Sequence, residues 1–395
     1  MLNLLLKLFK VVYRDNLRTA CRNLFLAICI GVGLQAVRPG WCQTRKENAS
    51  SLDRWKPVVG AANRAEYTGP QVCAQCHPSQ AEAQFASPMG HAASPAAADK
   101  ILRESPLLQF RLGPYEYQIA RRGDRSIYWV SNGDRTISAP ILYAFGLGVA
   151  GQTYLFEHEG AYYESRVSYF LETKALDITF GHPSSVPWSL EDALGNRLDA
   201  DQVRACFSCH NTAAFTSGRA DPGNLIPGVT CEACHGPGAK HVTAMKTGQS
   251  RQTFVFNPAR LEPGELTDFC GACHRTFLDV VSLKIHGIRN VRFQPYRLVG
   301  SRCWNAADAR IQCVSCHDPH ERMVKGAALY DAKCLACHGV GMSAKPSRNQ
   351  PGPACPVEKR QCVNCHMPKL TLPGAHSQFT DHQIRVARPG KDYPD

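Results

Sequence analysis

Long apolar runs are scarce in this chain of 395 residues. The run at 24–34 (LFLAICIGVGL) spans about eleven residues, short of the roughly 20 that cross a bilayer as a helix. Acidic residues are also in deficit, with 33 Asp and Glu against 45 Lys and Arg, a formal charge of +12. No stripe of basic residues interleaved with aromatics is present, so the excess is not the footprint of a nucleic-acid binder. No A-x-A cleavage site follows the apolar run, and Pro39, Gly40 and Trp41 before Cys42 do not form a lipobox.

Lys7, Lys10, Arg14, Arg18 and Arg22 precede that run, which is the pattern of a secretory signal. Residues 1–42 are therefore expected to be a signal peptide cleaved near Cys42 and Gln43, with an uncleaved anchor as the alternative. The first reading places the mature chain in the periplasm or otherwise outside a bacterial cytoplasm. Membrane association is expected only if the segment stays attached. Removing the six Lys or Arg and one Asp of 1–42 leaves +7.

Cysteine is what the chain has in excess: nineteen residues, in a sequence too long for a disulfide mini-protein. Fourteen of them stand in seven Cys-x-x-Cys-His runs. These are Cys73, Cys76 and His77; Cys206, Cys209 and His210; Cys231, Cys234 and His235; Cys270, Cys273 and His274. The remaining three are Cys313, Cys316 and His317; Cys334, Cys337 and His338; Cys362, Cys365 and His366. This spacing suits covalent attachment of c-type haem. Two thiols three residues apart add to the two vinyl groups of one haem, and the adjacent His lies under the iron as proximal ligand. A zinc ribbon also uses C-x-x-C, but it needs the pairs in twos and gives no reason for His to follow each second Cys. Seven c-type haems with their iron are thus the expected cofactors, and their propionates offset the positive charge of the chain. Of the other cysteines, Cys21, Cys29 and Cys42 fall in the expected signal. Cys303 and Cys355 are either a disulfide or two buried thiols.

Eight histidines remain for the sixth position on each iron. His91, His182, His241, His286, His320, His376 and His382 are the candidate distal ligands. His158, in an alternating stretch at 154–163, reads as a surface residue. His320 lies three residues past His317, and His241 follows His235 after a Gly-rich turn. His376 and His382 lie in a tail without cysteine.

One motif stands alone near the N-terminus, and six crowd into 206–366. So little chain between cofactors leaves the haems themselves to act as core in that half. The gap between alternates instead. Tyr115, Tyr117 and Ile119, then 126–130 and 136–142, have strand period, with turn chemistry at Gly123 and at Asn132-Gly133. The fold expected is a multihaem cytochrome c of mostly short α-helices and loops packed around stacked haems, with a small antiparallel β subdomain. Its divisions are a signal at 1–42, a polar leader at 43–66 and a single-haem segment at 67–106. A haem-free β subdomain at 107–182 follows, then a six-haem domain with its distal-ligand tail at 183–389 and a loose end at 390–395.

Thr68-Gly69 before CAQCH, CEACHGPGAKHV at 231–242, CVSCHDPH at 313–320, CVNCHMPK at 362–369 and the tail from His376 to Arg385 carry a resemblance. The chain resembles bacterial multihaem cytochromes c of the superfamily holding the tetrahaem partner of hydroxylamine oxidoreductase, the octahaem oxidoreductases and the pentahaem nitrite reductase. The resemblance implies stacked haem pairs and bis-His irons, with His241, His320, His376 and His382 as distal ligands. It departs in haem number, and it lacks the Cys-x-x-Cys-Lys site of the nitrite reductase. The expected function is electron transfer between redox partners: a quinol-oxidising membrane complex, another cytochrome or a terminal reductase. The alternative is an oxidoreductase acting on a small nitrogen or sulfur compound at one five-coordinate haem, with Arg289, Arg292 and Arg297 as candidates to bind it. No catalytic residue is assigned.

Overall fold

The strand-like alternation at 115–130 folds as alternation requires, with every second side chain turned to one buried face. A computed structural model describes residues 55–394, apart from 59, 61–62, 217–218, 221–222, 250–253, 322, 324–325, 340–354, 389 and 392. The expected signal peptide at 1–42, with Cys21, Cys29 and Cys42, lies outside the described residues, as does most of the leader. Among the described residues no helix is long and apolar enough to cross a membrane.

Ten strands lead from the first motif to the second. They are β1 (Ala93–Pro95), β2 (Leu107–Leu112), β3 (Tyr115–Arg122), β4 (Arg125–Ser131), β5 (Thr136–Phe145), β6 (Thr153–His158), β7 (Ala161–Ser165), β8 (Val167–Phe170), β9 (Ala175–Ile178) and β10 (Gly195–Arg197). Eight form one antiparallel sheet in the order β10-β7-β6-β5-β4-β3-β2, with β1 also paired to β5. β8 and β9 form a separate hairpin. The β3–β4 turn closes around Gly123 at φ 63°, and the four-residue β4–β5 turn is held by the Asn132 side chain, which accepts from the Asp134 and Arg135 amides.

Tyr117, Ile119, Tyr128, Val130, Ile141, Tyr154 and Phe156 are buried in one cluster, covered by Leu190, Ala193 and Leu194 of the helix Leu190–Leu194. Ser189 starts that helix by accepting from the Asp192 amide, and the Tyr128 hydroxyl donates to the Leu194 carbonyl. Each such side chain contributes about 1.5–3 kcal/mol by leaving water. This unit therefore has an apolar core made of its own residues.

The sheet is larger than the small subdomain expected, so helices and loops share the fold with it rather than dominating it. β1 enters from the segment that carries the first Cys-x-x-Cys-His run and β10 from the segment that carries the other six, each by three register pairs. Strands this short have no hydrophobic period of their own, and only backbone pairing with a distant strand reveals them. β10 requires Gly195, at φ 131°, because a Cβ there would overlap the Glu164 carbonyl.

Beyond the sheet the chain forms short helices and loops. A second cluster (Val203, Phe207, Ala214, Phe215) packs the helix Ala200–His210 against Leu155 of β6. A third joins Trp55, Tyr67, Ala213 and Ile226. Near the C-terminus, the strands Lys369–Thr371 and Gln378–Thr380 pair as a hairpin. Behind it, Arg297 meets Asp381 at 2.9 and 3.1 Å, with both side chains buried.

Candidate haem sites

Each Cys-x-x-Cys-His run is built on a helical turn. Two runs form short helices of their own, Cys231–His235 and Cys362–His366. Three more end the helices Ala200–His210, Pro263–His274 and Ala328–His338. Cys73 lies in the helix Pro70–Ala74 with His77 just beyond, and His317 caps the helix Cys313–Cys316. Residues three and four apart share one face of a helix. The helical turn therefore aims both thiols and the imidazole of a run to the same side.

Backbone carbonyls orient several of these imidazoles. Nδ1 of His210 meets the Ala92 carbonyl at 2.9 Å, that of His235 the Phe256 carbonyl at 2.8 Å, and that of His366 the Arg385 carbonyl at 3.0 Å. A carbonyl on Nδ1 fixes the tautomer and leaves Nε2 as the electron-pair donor, as in metal-binding histidines generally. Burial lowers the pKa of His210, His235, His274 and His317, and pushes His382 down to about 4. Neutral imidazole is the form that binds metal.

Two candidate distal ligands stand opposite proximal ones. The His235 and His320 rings are 5.9 Å apart between centroids, with planes 13° apart. The His317 and His382 rings are 6.2 Å apart at 39°, and His382 turns Nδ1 to the Thr380 carbonyl at 2.9 Å. Two imidazole nitrogens on opposite sides of one metal, each about 2.0–2.1 Å from it, set the ring centroids about 6 Å apart. At these separations each pair could hold one iron between its imidazoles, and the donor set present fits c-type haem. Among the described residues no group of three or more His, Cys, Asp or Glu side chains could itself cage a metal ion.

His182 and His376 are placed differently. His182 is buried beside the sheet, with Nε2 3.0 Å from a Glu164 carboxylate oxygen and 3.0 Å from the Asn196 amide. His376 turns Nε2 to Asp177 at 2.7 Å and lies against the Phe170 ring. In both, Nε2 meets a carboxylate, that of Glu164 in β7 or of Asp177 in β9. His158 lies beside Tyr163 and Glu159. His91 follows the helix Pro78–Phe85, His241 lies in the helix Ala239–Lys246, and His286 precedes the turn Gly287–Arg292.

The three arginines also separate. Arg297 is held by Asp381, Gln383 and the Pro394 carbonyl, which makes it structural. Arg292 stacks over Phe180 and Phe293, and its buried Nε has no hydrogen-bond partner. Burial and the charges of Arg275 and Arg289 lower its pKa. A half-buried guanidinium whose Nε lacks an acceptor suits a propionate better than open water. Cys303 and Cys355 are free thiols, not a disulfide, and neither is fully buried: Cys303 is exposed and Cys355 half-buried.

Neighbouring runs adjoin in a definite order. The helix bearing Cys73 packs on the one bearing Cys231, and those thiols face each other. Cys209 likewise faces Cys273, Cys270 faces Cys313, and Cys334 faces Cys362. Sequence reading missed Glu232 and Asp331, whose carboxylates reach across such contacts. One signal was available: Glu232 is the only charged residue between the cysteines of any of the seven runs.

A family model described as "Cytochrome c554 and c-prime" matches residues 188–236, which include the second and third runs. No curated protein matches the chain. Among solved structures, the crystal structure of outer cell wall cytochrome OcwA is similar with a TM-score of 0.46 and 15% identity, over 81% of this chain and 80% of that one. The family match supports a c-type cytochrome with haem iron and redox-protein partners.

Proposed function

We propose that this chain is an exported heptahaem cytochrome that passes electrons between redox partners along a run of mostly bis-His irons. The observation that carries the reading is the pair of imidazole couples, His235 with His320 and His317 with His382, at the separation one iron requires. Bound c-type haem supplies one-electron couples tuned by axial ligand, burial and nearby charge. The chain's own residues do the rest. The helical turns present thiols and imidazole together. Carbonyls of Ala92, Phe256 and Arg385 fix tautomers. Arg292 offers a cation for a propionate. The periplasm is the expected compartment, and the partners are a quinol-oxidising membrane complex, another cytochrome or a terminal reductase.

The carboxylates on His182 and His376 favour a second reading. They leave His91, His241, His286, His320 and His382 as imidazoles for seven irons, so an iron without a sixth protein ligand would be a place to reduce or oxidise a small nitrogen or sulfur compound. Low-temperature EPR of the oxidised protein, with haem counted by pyridine haemochrome, separates the two. Seven haems with low-spin signals alone support the carrier. A high-spin signal that shifts with nitrite or hydroxylamine puts the enzyme first, and a chain without covalent haem overturns both.

A further inference from the structure

We propose that Glu232 and Asp331 are positioning residues that dock neighbouring haem-attachment turns on each other in pairs. Glu232 would dock the turn at 73–77 on that at 231–235, and Asp331 the turn at 362–366 on that at 334–338. The inference rests on the haem reading above and specifies which sites are held together and by what.

Both devices have the same construction. Glu232 lies inside its own Cys-x-x-Cys-His run and is 2% exposed. One carboxylate oxygen accepts from the Thr68 amide at 2.9 Å and the Gly238 amide at 2.8 Å, and the other from the Gly69 amide at 2.8 Å. Gly69 starts the helix Pro70–Ala74, which has no side-chain cap of its own. Asp331, in the helix Ala328–His338, accepts from the Gln361 amide at 2.7 Å and the Cys362 amide at 2.9 Å. Gln361 starts the helix Cys362–His366 at φ 54°, again with no side-chain cap.

The first amides of any helix lack internal acceptors, and the residue in front of it ordinarily supplies one. Neither Gly69 nor the left-handed Gln361 caps its helix with a side chain; the neighbouring carboxylate instead takes the amides at each helix entry, those of Thr68 and Gly69 just ahead of Pro70, and those of Gln361 and the first helical residue, Cys362. A charged acceptor makes such bonds roughly twice as strong as neutral ones. Helices of five residues do not hold their shape alone. Each turn thus takes its orientation from its partner, and the facing thiols Cys73 with Cys231 and Cys334 with Cys362 mark the same two contacts. Relative orientation of attachment turns sets the relative orientation of what is attached.

The test compares full-length, haem-loaded wild type with E232A, E232Q, D331A and D331N, by pyridine haemochrome and by potentiometric titration followed with EPR. E232A should alter the signals and midpoints of two haems and leave the others in place. D331A should alter a different two, and the double variant should show both sets. E232Q and D331N, which keep an acceptor oxygen, should lie between wild type and alanine. Should E232A lose haem, E232Q decides: changes confined to two haems support the proposal, and a wild-type spectrum overturns it. Spectra of E232A superimposable on wild type overturn it, as do changes spread over all haems or the same two haems responding to both substitutions. A wild-type chain that matures without covalent haem removes the underlying reading, and that is visible in the haem count before any variant is compared.

Discussion

His320 and His382 each have a proximal imidazole close by, with ring centroids 5.9 and 6.2 Å apart. H320A and H382A should each convert one low-spin iron to high-spin or water-ligated form, read by EPR, with the haem count unchanged. His182 gives the opposite expectation. Its Nε2 belongs to Glu164 and Asn196, so H182A should leave the EPR spectrum unchanged. It should still lower stability by about 1–3 kcal/mol, measured by denaturant unfolding, because buried polar partners lose their hydrogen bonds. The resemblance singled out His382 and not His182, but His376, singled out with it, also turns to a carboxylate. The difference lies in what the fold puts opposite each nitrogen.

At the scale of elements, the C-terminal tail is held by a few buried contacts. The Asp381 carboxylate bonds Arg297 and accepts from the Gln383 amide, and the Arg385 amide meets the His366 carbonyl at 3.1 Å. Burial alone would raise the Asp381 pKa, but these hydrogen bonds and the charges of Arg297 and Arg385 hold it below the usual carboxylate range. D381A would leave a buried guanidinium uncompensated, at a cost of about 3–5 kcal/mol in unfolding free energy. It should also release the tail, so that its EPR spectrum changes in the same sense as that of H382A. Local chemistry made part of the sheet legible: alternation marked β3, β4 and β5, and Gly123 and Asn132 marked the turns between them. β1, β10 and the Arg297–Asp381 pair were not legible, because each depends on a partner far along the chain.

For the molecule as a whole, the two kinds of core predict two kinds of stability. The sheet unit buries Tyr117, Tyr128, Tyr154 and Phe156 among its own residues. The haem-attachment turns are short, and their flanking clusters are small. Protein made without haem should therefore keep slow amide exchange in β3–β6 and lose it at 206–366, read by hydrogen exchange with mass spectrometry. Uniform protection, or its uniform loss, would contradict this division.

The sequence by itself determined where seven Cys-x-x-Cys-His turns stand and that the stretch between the first two prefers strands. Both rest on residues a few positions apart, where covalent geometry and backbone period act without help from the rest of the chain. Only the tertiary structure decided that His235 lies near His320, that His317 lies near His382, that His182 and His376 turn to carboxylates, and that Glu232 reaches Thr68 and Gly69. Each of those contacts closes a long loop or joins separate elements. Spacing along the chain does not encode which groups meet once that closure entropy is overcome.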